Sequence, residues 1–253
     1  MRTTKLVLRV GLGLAITILM MTGVASANSY TFNTPSGSLT SGGVVSASAT
    51  ITTSTNYIDI TLMNLIADPH AQAQIITGLY FGLTGGKFIG TGTAPVSSSA
   101  YARDLAPDGT YTESYVSPTN WTITNVNKTN IGLCAGGCST LKPEGVIGDP
   151  AANGLYVQAN PSITGTQHSP EIYGGAAEPS KDPHFRIYSA GVTSNTAISS
   201  LNFVFGTSNE QITGTPGPPP PPPGPVPEPA SIFLFGSGAA LFVGRFRKSL
   251  KTR

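Results

Sequence analysis

The chain has 253 residues, of which 39% are hydrophobic and only 10% charged, with 30 glycines, 21 prolines, two cysteines and a formal net charge of +2. The charge is unevenly placed: Arg2, Lys5, Arg9 and five C-terminal cations carry +8, whereas six cations face eleven carboxylates between Asn28 and Thr215. The central body is therefore acidic, close to −5, which excludes a basic patch for nucleic acid or anionic lipid.

In chain order, the first element is an export signal. Arg2, Lys5 and Arg9 form a basic segment, Val10 to Val24 is apolar, and Ala25-Ser26-Ala27 supplies small residues for signal peptidase. Residues 1–27 are read as a signal peptide and Asn28 as the mature N-terminus; an uncleaved anchor is the competing reading.

The body, residues 28–215, reads as strands. Val45, Ala47, Ala49 and Ile51 alternate with Ser46, Ser48, Thr50 and Thr52, a period of two with one apolar face. Ser54-Thr55-Asn56 breaks the run, and Ile58, Ile60 and Leu62 resume it, so the two segments predict an antiparallel pair. Further strands are expected at Ile75–Leu83, Tyr111–Val116, Trp121–Val126, Gly154–Gln158, Phe185–Ser189 and Ile198–Phe205, separated mostly by Gly, Pro, Asn and Ser. Ala67 to Ile76 comes nearest to a helix, although Pro69 fits only its first turn. Many short strands with turns between them predict an all-β fold, a single jelly-roll-like β-sandwich.

Within the body, Cys134 and Cys138 flank Ala135-Gly136-Gly137. An even cysteine count in an exported chain predicts a disulfide, pinning a long loop between Asn125 and Asp149. A redox pair normally has two intervening residues, and zinc would need further ligands at finger spacing. His70, His168 and His184 form no HExxH or i,i+4 pair. Asp68-Pro69-His70 and Asp182-Pro183-His184 read as turns in which Asp caps and Pro fixes the backbone. Asp104, Asp108 and Glu113 surround Pro107-Asp108-Gly109, a hairpin turn whose oxygens also offer calcium ligands, without EF-hand spacing. No GxSxG elbow or complete P-loop is present, and nothing selects a glycosidase pair from the eleven carboxylates. Trp121, Tyr111, Tyr115 and Tyr173 either pack in the core or stack on sugars. No catalytic residue, metal or cofactor is assigned.

Residues 216–225 open a proline-rich linker with six consecutive prolines at 218–223. Such a segment favours polyproline II at about 3.1 Å per residue and acts as a semi-rigid spacer. Residues 226–253 follow: Val226-Pro227-Glu228-Pro229-Ala230-Ser231, an uncharged run over 230–244, then Arg245, Arg247, Lys248, Lys251 and Arg253. As a helix the run reaches only about 22 Å, against a hydrocarbon core of roughly 30 Å. A stop-transfer element removed later fits that length better than a permanent anchor, with the basic cluster retained on the cytoplasmic side.

This order of Pro-Glu-Pro element, apolar run and basic cluster resembles the PEP-CTERM sorting signal of bacterial surface proteins. The resemblance implies that an exosortase recognises the element and cleaves nearby, moving the protein from transient attachment at the inner membrane to the cell surface or extracellular matrix. The segments Gly43–Gly85 and Phe185–Thr207, the latter ending Phe203-Val204-Phe205-Gly206-Thr207, also resemble the bodies of PEP-CTERM proteins, which implies a sandwich. The expected function is that of a structural or adhesive surface protein in an exopolysaccharide or biofilm setting, with exosortase and signal peptidase as processing partners and exopolysaccharide as a candidate partner. The alternative is a carbohydrate-binding module or carbohydrate-active enzyme on the same scaffold.

Overall fold

The computed structural model describes residues 27–89, 97–117, 120–164 and 171–218. Residues 1–26, which hold most of the expected signal peptide, most of the proline tract and the sorting segment 226–253 lie outside them. The described residues hold sixteen strands, two short 3-10 turns and no α-helix. In chain order the strands are β1 (Asn28–Asn33), β2 (Leu39–Thr40), β3 (Gly43–Val44), β4 (Ala47–Ser54), β5 (Tyr57–Asn64), β6 (Ile76–Thr84), β7 (Ser97–Leu105) and β8 (Tyr111–Val116). They continue as β9 (Trp121–Asn127), β10 (Asn130–Ala135), β11 (Val146–Ile147), β12 (Glu171–Tyr173), β13 (His184–Tyr188), β14 (Ala197–Phe205), β15 (Glu210–Thr213) and β16 (Thr215–Pro216).

The expected pair is β4 and β5, antiparallel with Ile51 opposite Ile60 and Ala49 opposite Leu62. Because side chains alternate across a strand, this register puts Ala49, Ile51, Ile58, Ile60 and Leu62 on one buried face. Asn56 closes the turn at φ 71°, a conformation asparagine tolerates better than most residues. Strands β16, β1, β4, β5 and β13 form one layer; β15, β14 and β6 begin the other. Beyond β6 the second layer forks, with β10 and β9 attached along one stretch of its edge and β11, β12, β7 and β8 at the other. Strand β7 joins the layers: its start, at Ser97–Ser99, pairs with β13, and its later residues pair with β12 and β8.

The two layers enclose one large core, and a second, smaller cluster gathers Ile75, Leu105, Ile147, Tyr156 and Ile163. Ile51, Ile60, Leu62, Phe185 and Ile187 come from one side, and Leu79, Phe81, Leu133, Leu201 and Phe203 from the other. Trp121 on β9 meets Phe185 on β13 with ring centroids 4.8 Å apart, a contact that ties layer to layer.

Two expectations differ from what forms. Gly154–Gln158 is a looped segment instead of a strand, because Tyr156 points inward as a plug and its N–H donates to the carbonyl of Gly109. The Asn125–Asp149 stretch is not one loop, since the β9–β10 hairpin takes its first part. Ala67–Ile76, where Pro69 argues against a helix, forms only a 3-10 turn at Gln72–Gln74. Strands β1, β7 and β10 carry weak patterns, SSSAYARDL in β7 for instance, and their pairing comes from long-range neighbours.

Candidate functional site

Of the terminal site residues, the sorting motif Val226 to Ser231, the cations Arg245, Arg247, Lys248, Lys251 and Arg253, and Ala25 lie outside the described residues. Ala27 is exposed, and Asn28 opens β1 with its side-chain amide donating to the Ser194 carbonyl at 2.7 Å. Cys134 and Cys138 are joined in a disulfide with Cα atoms 5.1 Å apart. Gly136 and Gly137 sit at φ 71° and 99°, which lets so short a loop close. The bridge fastens the turn after β10 back onto that strand.

The described histidines do not converge. His184 is exposed on β13 and bonds Thr61 at 3.0 Å, while the ring of His70 in the β5–β6 connection has an unpartnered Nδ1; His168 lies outside the described residues. Among the described residues no group of three His, Cys, Asp or Glu side chains is placed to hold a metal. Asp108 caps the β7–β8 hairpin, accepting from the Thr110 N–H at 3.0 Å, and Glu113 is drawn into a different network, so the carboxylates near Pro107 do not gather.

That network is the most elaborate polar constellation of the domain, and it centres on Arg103 of β7, only 1% exposed. Glu113 stands directly opposite on β8 and accepts from Arg103 Nε at 3.0 Å, while Tyr156 Oη and Glu178 take the other guanidinium nitrogens at 3.0 and 2.9 Å. The guanidinium lies 3.6 Å from the Tyr173 ring centroid and 4.5 Å from that of Tyr111, a cation held between two aromatic faces. Lys181 bridges the same two carboxylates at 2.7 and 2.8 Å. The hydrogen bond from Lys181 holds the Glu178 carboxyl below its ordinary range, and burial pushes the Tyr156 and Tyr173 phenols up. Each charge is answered by another, which is the arrangement of a structural clasp. The sequence signals only that an arginine interrupts an otherwise small and polar strand.

Beside the clasp lie two further acids. Asp149 accepts from Tyr173 Oη at 2.6 Å and from the Ala177 N–H at 3.0 Å. Asp182 is 5% exposed and one of its oxygens has no partner. Burial first, and then the neighbouring Asp149, push its carboxyl up to about 7. Asp68, at φ 54°, and Asp182, directly after the 3-10 turn Pro179–Lys181, both lie in bends as the sequence predicts, but each is buried and faces the interior. Glu171 is buried as well and raised by desolvation, against which a 2.7 Å bond from the Gly145 N–H acts. These acids face the interior, and Asp149 spends both oxygens on the protein itself.

The aromatic residues separate the same way. Trp121 is buried, its Nε1 donating to the Glu144 carbonyl at 3.2 Å, and Tyr111 and Tyr173 flank Arg103. Tyr115 stays outside, edge-on to Tyr101 at an interplanar angle of 72°, and Tyr57 and Tyr188 are tilted by 59°. Neither pair is a coplanar platform.

The described body is all β, with its buried charges neutralised internally, and a proline tract follows it in the sequence. Residues 225–248 match the family model for the PEP-CTERM protein-sorting motif. The chain thus carries a PEP-CTERM protein-sorting motif, and that motif implies exosortase-dependent export and sorting. No curated protein and no solved structure matches it.

Proposed function

We propose that the mature body is a non-catalytic structural or adhesive component of the cell surface or extracellular matrix, working in an exopolysaccharide or biofilm setting as a single β-sandwich. The observation that carries this reading is the sorting motif at 225–248 behind the proline tract, which addresses the domain to the export and sorting machinery. The chemistry of the body supports it, since Arg103, Lys181, Glu113 and Glu178 neutralise one another. A carbohydrate-active enzyme is the second reading, favoured by the raised carboxyl of Asp182 next to Asp149. Against it, Asp182 is almost wholly covered, whereas a glycosidase acid must reach the scissile bond.

The test is intact mass and fractionation of the protein from producing cells with and without exosortase activity. The expected product begins at Asn28, ends near the Pro227-Glu228-Pro229 element and leaves the membrane only in the competent strain. An intact tail retained in the inner membrane of both strains would overturn the reading.

A further inference from the structure

The outer face of the second layer carries a groove away from the Arg103 clasp. It has a volume of about 270 Å³ and is lined by Tyr80 and Phe81 of β6, Asn130 of β10, Ser200 and Asn202 of β14 and Gln211 of β15. Its shape follows from strand register. Gly132, Tyr80, Asn202 and Thr213 stand opposite one another across four strands, and Asn130, Gly82 and Ser200 form the next row. Gly82 leaves room for the serine hydroxyls of β14, since a Cβ there would come within 2.6 Å of Ser199 Oγ and 2.8 Å of Ser200 Oγ. A register shift in β14 between Ile198 and Ser200 also leaves Ser199 and Ser200 both exposed, doubling the hydroxyls at the rim.

The chemistry of the lining is selective. None of the six residues is charged, although the body around them is close to −5. The side chains of Asn130, Ser200 and Asn202 make no hydrogen bond within the described protein, while Tyr80 is steadied over Gly132, its Oη 3.4 Å from the Cys138 carbonyl. Free amides pair a donor with an acceptor, the complement of adjacent hydroxyls on a sugar ring, and a tyrosine offers an apolar face to the C–H side of that ring. Four adjacent strands span about 14 Å, room for a short run of rings.

We propose that this groove binds a neutral polysaccharide chain through Asn130, Ser200, Asn202 and Gln211, with Tyr80 beneath it. The absence of cations from the lining disfavours an anionic polymer, which the acidic body would also repel. The proposal rests on the adhesive reading above and names the ligand class of that adhesion.

The experiment is affinity electrophoresis of the mature protein, recovered from producing cells, in native gels. The gels contain hydroxyethylcellulose, galactomannan, dextran or the neutral fraction of the cells' own polysaccharide, with alginate and polygalacturonate as anionic probes. Retardation by at least one neutral polymer is expected. It falls about tenfold in binding constant in N202A/Q211A, as loss of two hydrogen-bonding groups of about 0.7 kcal/mol each requires, with mobility in plain gels and thermal melting unchanged. Ser200→Trp, which fills the trough from an exposed position, removes the retardation as well. Retardation by no neutral polymer, by anionic polymers alone, or undiminished in these variants overturns the proposal. If that happens while the protein still fractionates with the matrix, the adhesive reading stands on another surface; absence from the matrix fraction overturns both.

Discussion

Asn64, the last residue of β5, is wholly buried and fastens three segments with one side chain. Its Nδ2 donates to the carbonyls of Gln74 and Val146 at 2.8 and 3.0 Å, and its Oδ1 accepts from the Ile66 N–H at 3.1 Å. Gly148 packs against the same place, where a Cβ would run into the carbonyl oxygens of Ile66 and Asn64. Asn64→Ala strands these buried groups, so unfolding in urea is expected to show a loss of about 3 kcal/mol. A loss under about 1 kcal/mol would mean that solvent reaches them. The alternating run through Leu62 predicts a strand end here, but neither Asn64 nor Gly148 is recognisable from the sequence, because their partners lie in separate segments of the chain.

At the scale of elements, β7 is the piece on which the second layer depends. It starts against β13, crosses to the opposite layer, and there sets Arg103 among β8, β12 and the turn carrying Glu178 and Lys181. Arg103→Met keeps the length of the side chain but leaves Glu113 and Glu178 with Lys181 alone. Truncating a buried ion pair of this kind costs on the order of 3 kcal/mol, whereas Lys181→Met, at a more exposed corner, costs less than about 1 kcal/mol. Equal effects in denaturant unfolding would show that the clasp is no more than a surface ion pair. The alternation in β4, β5, β9 and β14 was legible because one face is apolar. β7 was not, because serine, alanine and a buried arginine carry no such contrast.

For the whole molecule, the buried acids set the response to pH. Asp182 releases its proton at about 7 in the folded protein and near 3.9 when unfolded. Between those values the native state binds more protons than the unfolded chain, so stability falls as pH rises through the window. Glu171, raised by burial, acts in the same direction. Glu178, lowered by its bond to Lys181, acts oppositely: its contribution is lost as pH falls below the ordinary carboxylate range. Thermal melts are expected to peak near about pH 5 and decline toward neutrality, and Asp182→Asn should flatten that decline and melt higher than the wild type at pH 8. A wild-type profile that keeps rising to pH 8 would show that Asp182 ionises normally.

By itself the sequence determined the sorting signal and the disulfide pair, because each is written in contiguous residues, and the all-β class, because repeated alternation needs no knowledge of partners. The tertiary structure alone decided that Asp68 and Asp182 are interior, that Tyr156 is a plug and not part of a strand, and that Arg103 gathers carboxylates from β8 and the 178–181 turn. It also placed Tyr80, Asn130, Ser200, Asn202 and Gln211 around one groove. Those residues come from four strands spread over more than half of the chain, and the backbone hydrogen bonds that set their register carry no side-chain signature in the sequence.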